Sequence, residues 1–389
     1  MIRIYYAERD TTLYEKQPEQ NAGLDEVLEL IKIASGSRAF ERGTDLGIQA
    51  NQYNTRILID FGSEITSIAN SVESGEIPAL TNLHPTSASV FLNLRTTKAS
   101  DLLQSYSIKA YAVSESWDNG RGRVDDAPKT KIAASWYNRS GDAVAQSGVA
   151  WATASAHSGN TGKGTTELAG GGTWITGSGF EASQSFNNEA PDLRINVTNI
   201  VKLWTAGGIT NNGFIIKRPF AEEQDGLVRG SIAFFGRESH TIFVPKLEVC
   251  WDDSSINSVS PITSNTYVPY FKNIKAEYRT SEIARFFVGV RPEFPTKSYA
   301  TSSFYITGDT LPLSSSYEII DSVTKEVMIK DEKVFGSSKT KISQDTTNGS
   351  FFDLRMDSFM PERYYKIKLT CRRTNDTQTF DDFYFKVVN

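Results

Sequence analysis

The stretch of this sequence that looks most like a phosphate cradle is Gly159-Asn160-Thr161-Gly162-Lys163-Gly164-Thr165. A nucleotide loop needs Gly five residues before its Gly-Lys pair and Ser or Thr directly after the Lys, because backbone N–H groups and that hydroxyl do the binding. His157 and Gly164 hold those two places, so the segment reads as a glycine-rich loop. The three histidines, His84, His157 and His240, stand isolated and lack the i, i+4 pairing of a helical zinc site. No metal or cofactor is expected from this pattern, and no His-based catalytic residue.

Paired carboxylates are the other route to chemistry. They occur at Asp125-Asp126, Glu222-Glu223, Asp252-Asp253 and Asp381-Asp382. A glycosidase needs two carboxyl groups facing each other about 5 to 10 Å apart across a cleft, whereas neighbours on one strand point to opposite faces. These pairs are expected to be turn charges and edge charges that keep strand edges from associating. No Gly-x-Ser-x-Gly nucleophile elbow is present either.

Aromatic rings remain, since sugars stack on Trp and Tyr faces and interfaces use aromatic anchors. Trp204 completes a helical apolar stripe and Trp251 ends a strand, so both are expected in the core. Trp117 and Trp136 precede turns and are expected to pack under them. Trp151 and Trp174 lie in a long loop, and with His157 and Lys163 they are the candidate contacts to a glycan or a protein partner.

The elements that must position these residues read as strands. Short alternating or apolar runs closed by Gly, Asn, Asp or Ser recur: Arg56 to Phe61, Ala88 to Leu94, Ile108 to Val113, Gly213 to Lys217, Ser231 to Phe235 and Lys246 to Cys250. Further runs follow at Ala284 to Val290, Ser316 to Ile320, Tyr364 to Leu369 and Phe383 to Val388. Two short helices are expected, one carrying Ile65, Ile68, Ala69 and Val72, the other Val197, Ile200, Val201 and Trp204 between Asn196 and Gly207-Gly208. Leu24 to Ile33 is compatible with either period and is read as a strand.

With 389 residues the chain is long enough for two cores. The abundance of Phe (22) and Tyr (16) over Met (4) suits pleated sheets. A net charge of −5 with scattered Lys and Arg offers no track for phosphates, so nucleic acid is not an expected partner. No run approaches the roughly 18 apolar residues of a membrane span. Cys250 and Cys371, 121 residues apart, are expected to be buried thiols rather than a disulfide. The expected organisation is a first sandwich over residues 1–252, a Gly-rich loop at about 138–190, a polar linker over 253–266, and an immunoglobulin-like β-sandwich over 267–389.

Several of these segments, in this order, resemble the DNRLRE-type carbohydrate-binding-module-like domain, a jelly-roll-like β-sandwich. The likeness runs from Asn21-Ala22-Gly23 through Arg56–Phe61, Ala88–Leu94, Ser116–Gly120 and Ala134–Asn138. It continues with Ile195–Trp204, Asn212–Lys217, Phe235–Glu238 and Pro245–Val249. The hexapeptide that gives the family its name is absent, its trace being Gly236-Arg237-Glu238-Ser239-His240, and Ser35 to Tyr53 is long for the family. The resemblance implies polysaccharide binding or surface architecture, and a mainly β fold. Secreted members carry export signals, whereas MIRIYYAERD has charges where a signal peptide needs an apolar stretch. That combination resembles a tailed-bacteriophage virion protein of the neck, collar, tail, baseplate or fibre, assembled in the host cytoplasm. The expected role is non-enzymatic, with other virion proteins as partners in a symmetric homo-oligomer. Two alternatives are a carbohydrate-binding adhesin contacting host-surface glycan and, behind it, a polysaccharide-active enzyme.

Overall fold

The computed structural model describes residues 1–34, 52–81, 87–141, 147–152, 170–225, 227–257, 259–295, 309–331, 333–334, 337–374 and 376–389. The chain divides into two compact units. The N-terminal unit comprises Tyr5–Thr81 and Ser89–Glu248; the C-terminal unit comprises Val249–Asn389, Met1–Ile4 and a short segment ending at Ala88.

The N-terminal unit is built on antiparallel sheets. The larger has the order β10 (Glu181–Asn187), β7 (Ser105–Ala112), β12 (Phe214–Lys217), β4 (Gln52–Asp60), β3 (Val27–Ala34), β13 (Gly230–Phe235) and β6 (Thr96–Ser100), with β2 (Arg9–Tyr14) also paired to β4. Outside that sheet, β5 (Ser89–Leu94) pairs antiparallel with β11 (Leu193–Asn196) within this unit. Residues 24–33 do end in a strand, and its apolar members Leu28 and Leu30 face inward at 0% exposure. Both expected helices form: α1 (Gly62–Glu73) buries Ile65 and Ile68, and α2 (Thr198–Thr205) buries Ile200, Val201 and Trp204. Asn196 Oδ1 accepts from the Thr198 N–H at 3.1 Å, ordering the entry to α2.

Strand β4 shows why this unit is more than a two-layer sandwich. Ile57, Leu58 and Ile59 are all fully buried, so both faces of the strand are covered. On the Leu58 face the cover is a cluster in which Leu13, Tyr111, Val113 and Ile215 meet Trp117, Trp136, Trp151 and Trp174. The small hairpin β8 (Asn138–Ser140) with β9 (Val149–Ala150) leads into it. The described ends of the glycine-rich region are thus packed core. A Trp side chain buries roughly 150 to 250 Å², and four of them suffice to pin segments otherwise poor in apolar residues.

The C-terminal unit is a β-sandwich. One sheet has the order β15 (Tyr267–Phe271), β17 (Ile283–Pro292), β23 (Gly349–Arg355) and β22 (Ser343–Asp345). The other has the order β16 (Glu277–Arg279), β25 (Thr377–Val388), β24 (Arg363–Arg372), β18 (Ser316–Asp321) and β19 (Val327–Ile329), with β16 parallel to β25. A two-stranded ribbon joins β20 (Lys333–Val334) to β21 (Ser337–Ser338). This neighbour order is that of an immunoglobulin-like sandwich, four strands against a sheet in which the last strand of the chain, β25, lies between β16 and β24. Its core is aromatic: Phe352 stacks on Tyr317 at 4.2 Å and on Phe286 at 5.3 Å between ring centroids. Tyr365, near the start of β24, donates its hydroxyl to the Met360 carbonyl at 3.0 Å, a tyrosine corner.

The expected polar linker at 253–266 is corrected. Asn257 N–H donates to the Gln344 carbonyl, the Gln344 N–H to Ser255, and the Ile262 N–H to Thr310, while the Ile262 side chain is buried. A polar chain beside strand edges gains backbone hydrogen bonds there, which its composition does not reveal.

Candidate functional site

The sequence-predicted contacts separate into two groups. His157 and Lys163 lie outside the described residues. Trp151 and Trp174 are corrected: they are 2% and 4% exposed, so neither offers a ring face to a ligand. Trp151 Nε1 donates to the Ser135 carbonyl at 2.9 Å. Trp174 sits at an isolated bridge to Val113 and lies beneath two cations, with the Arg56 guanidinium 5.0 Å and the Lys217 ammonium 5.0 Å from its ring. Trp117, Trp136, Trp204 and Trp251 are buried as expected. Cys250 and Cys371 are buried thiols and share no disulfide.

Arg56, the first residue of the apolar run in β4, is the centre of a buried charge cluster. Its Nη2 meets Glu223 Oε2 at 2.8 Å, and Lys217 Nζ meets the same oxygen at 2.8 Å. Both partners of Glu223 and Glu223 itself are 2% exposed or less. Burial by itself would push the Glu223 carboxyl up, but the Arg56 and Lys217 charges hold it below the usual carboxylate range. Lys217 is lowered as well, to about 8, but here burial outweighs the attraction of Glu223, so the shift disfavours its charged form. Glu223 is therefore not the turn charge expected of Glu222-Glu223. It lies in a short helix, α3 (Phe220–Gln224), which turns this side chain inward.

Glycines complete the cluster. Arg56 Nη1 donates to the Gly171 carbonyl at 2.8 Å, and the Arg56 guanidinium also stacks on Trp136 at 4.9 Å. Gly171 has φ +79°, and a Cβ there would come within 2.6 Å of Arg56 Nη1. The run Gly170-Gly171-Gly172 is a close-approach device at its described end. With all three charges paired and out of solvent, this cluster holds the scaffold.

An open feature of the N-terminal unit is a cleft of about 490 Å³ between β2 and β3. It opens where β4 changes partner, pairing with β3 through residues 52–54 and with β2 through residues 55–60. Asp25, Glu26, Glu29 and Asp125 line it, opposed by Lys16 and Arg123. The Tyr14 hydroxyl donates to Glu29 Oε2 at 2.9 Å. Burial, joined by repulsion from Glu29 and Asp125, raises Asp25 to about 6, although its carboxylate accepts from the Val124 N–H at 3.2 Å. Sequence reading passed over this site because it weighed only the apolar residues of 24–33. The alternation Asp25, Val27, Glu29, Ile31 on the opposite face was the available signal.

A second cleft, of about 960 Å³, lies in the C-terminal unit beside Pro312 and Arg372. Of its charged groups, Asp331, Arg372 and Arg373 are engaged, Arg373 donating to the Ile262 carbonyl at 2.6 Å. Asp331 accepts from Ser316 Oγ at 2.7 Å and from Arg372, and it is held below the usual carboxylate range, burial being outweighed by those bonds. Among the described residues no three His, Cys, Asp or Glu side chains are grouped to hold a metal ion. No described helix is long and apolar enough to cross a membrane.

No family model matches the chain, and no curated protein matches it. Two structures of Parabacteroides merdae β-glucuronidase, one with glycerol in its active site, align over 79% and 97% of this chain. Identity is 9% and 8%, and the TM-score is 0.16 in both cases. The alignments cover 29% and 36% of the enzyme, so the chain spans about a third of its length. At that TM-score the likeness carries no argument about fold or activity.

Proposed function

We propose that this chain is a non-enzymatic structural protein of a bacteriophage particle, acting by protein–protein assembly of two β-sandwich units. The observation that carries the reading is the outer face of the second sandwich. There Tyr364 and Tyr384 are 55% and 51% exposed on the adjacent strands β24 and β25, with Val327 at 38% on β19. Register puts Tyr384 opposite Lys366 and Tyr364 opposite Lys386, so rings and alkyl stems form one surface. Lys366 is drawn to Asp381 and Lys386 to Glu362, which leaves the stems flat along the sheet. Exposed Tyr with paired charge is the composition of protein interfaces, where Tyr is enriched and lone Lys depleted.

The glycan-binding alternative loses two of its four proposed contacts, since the rings of Trp151 and Trp174 are buried. The enzymatic alternative needs converging reactive groups, and the buried acid Glu223 is consumed by Arg56 and Lys217. The test is quantitative protein analysis of purified particles. The chain is expected at a copy number that is a multiple of 3, 5 or 6. Its absence from particles sinks the proposal.

A further inference from the structure

We propose that strand β10 is a self-pairing edge through which two copies of this chain join into one continuous antiparallel sheet. β10 closes one side of the large sheet and, among the described residues, pairs only with β7. The alternation of that ladder decides where its backbone groups point. Ala112 N–H donates to the Phe180 carbonyl and Asn188 N–H to the Gln104 carbonyl, both at 3.1 Å, while Val113 N–H turns to the Gly213 carbonyl beside β12. Even-numbered residues of β7 and β10 therefore bond to each other, and Glu181, Ser183, Ser185 and Asn187 turn their N–H and C=O groups away from β7. All four residues are exposed, and those outward backbone groups find no hydrogen-bond partner among the described residues.

An unpaired edge is a template for another strand, and folded proteins blunt it with charge, proline, a bulge or shortness. Other edges of this chain are blunted in these ways. β6 carries Lys98 and its pairing slips between Ala233 and Phe234; β15 carries Pro269; β16, β19 and β22 have three residues each. On β11 the Arg194 N–H is already taken by Gln184 Oε1 at 2.7 Å. β10 uses none of these devices. Its seven residues pair without a register shift and include no Pro or Lys, and its one charge, Glu181 at the end, is drawn to Lys109 at 3.4 Å. The occupant that fits is a second β10. Foreign peptides added to an edge are selected by pockets for alternate side chains, and neither cleft described above is lined by β10. A two-fold axis at Gln184 sets Ser183 against Ser185 and Glu181 against Asn187 of the other copy. Every outward N–H and C=O then meets a partner, and no like charges oppose. The inference stands apart from the particle role, whose ground is the second unit.

The test is sedimentation equilibrium of the full chain at concentrations up to about 1 mM, where a reversible dimer with a Kd below about 1 mM is expected. Ser183→Lys with Ser185→Lys opposes like charges in this register and is expected to weaken the dimer by about fivefold or more. Ser183→Lys with Ser185→Glu opposes unlike charges instead and is expected to keep or tighten it. Both positions are exposed, so circular dichroism should find both variants folded. Hydrogen exchange of the unaltered chain gives a second reading: the Ser183 and Ser185 amides should exchange more slowly as concentration rises. A monomer at about 1 mM, equal affinity of the two variants, or exchange at those amides that ignores concentration would each overturn the inference.

Discussion

Glu223 shows what a single residue does here that its neighbours in sequence conceal. The pair Glu222-Glu223 looks like surface charge, yet its partner Arg56 is 167 residues away, a contact no local pattern can announce. Removing one member of a buried charge group strands the others, which typically costs about 3 to 5 kcal/mol. Glu223→Gln is therefore expected to destabilise the N-terminal unit by about that amount in urea unfolding; a change under about 1 kcal/mol would show that the cluster carries little. Asp10 makes the opposite case. Burial lifts it from 3.8 to about 7, with the Arg237 N–H as its hydrogen-bond donor at 2.7 Å. The folded state then holds a proton that the unfolded chain has lost, so the penalty is absent below about pH 4, grows between about pH 4 and 7, and is full above. Across that window each pH step of one is worth roughly 1.4 kcal/mol. Stability should fall as pH rises from about 4 to about 7, and Asp10→Asn should flatten that slope in thermal melts. An equal slope in the variant would refute the assignment.

At the scale of elements, period-2 and period-3.6 patterns were legible because they follow from which face is buried. The strands from Arg56 to Cys250 and from Ala284 to Val388, and both helices, form where the apolar spacing put them. The tryptophans around the glycine-rich region were misread for a physical reason. Loop residues are usually exposed, and nothing local says that Gly170-Gly171-Gly172 lets the chain lie against Arg56 and Trp136. The cleft was missed because its carboxylates occupy the polar half of an alternating strand, where charge is ordinarily solvated. In the second sandwich one side-chain hydrogen bond fixes a corner between elements. Tyr365→Phe removes the donor to the Met360 carbonyl and should cost about 1 to 2 kcal/mol. Chemical denaturation of the variant checks this, and a loss within a few tenths of a kcal/mol would mean that the aromatic core alone holds the corner.

For the whole molecule, length and a polar stretch from Asp252 led to the expectation of two modules, and the chain divides into two compact units. Met1–Ile4 groups with the C-terminal unit, and the supposed linker is bonded into that unit. The buried charge and the tryptophans maintain the first unit, whereas exposed tyrosines on the second present a surface suited to a partner. The most direct measurement is imaging of the intact particle at side-chain resolution. The chain is expected in a symmetric ring or fibre base, with Tyr364 and Tyr384 buried against a neighbouring protein. Finding the chain missing, or present with that face in open solvent, would contradict the assembly role.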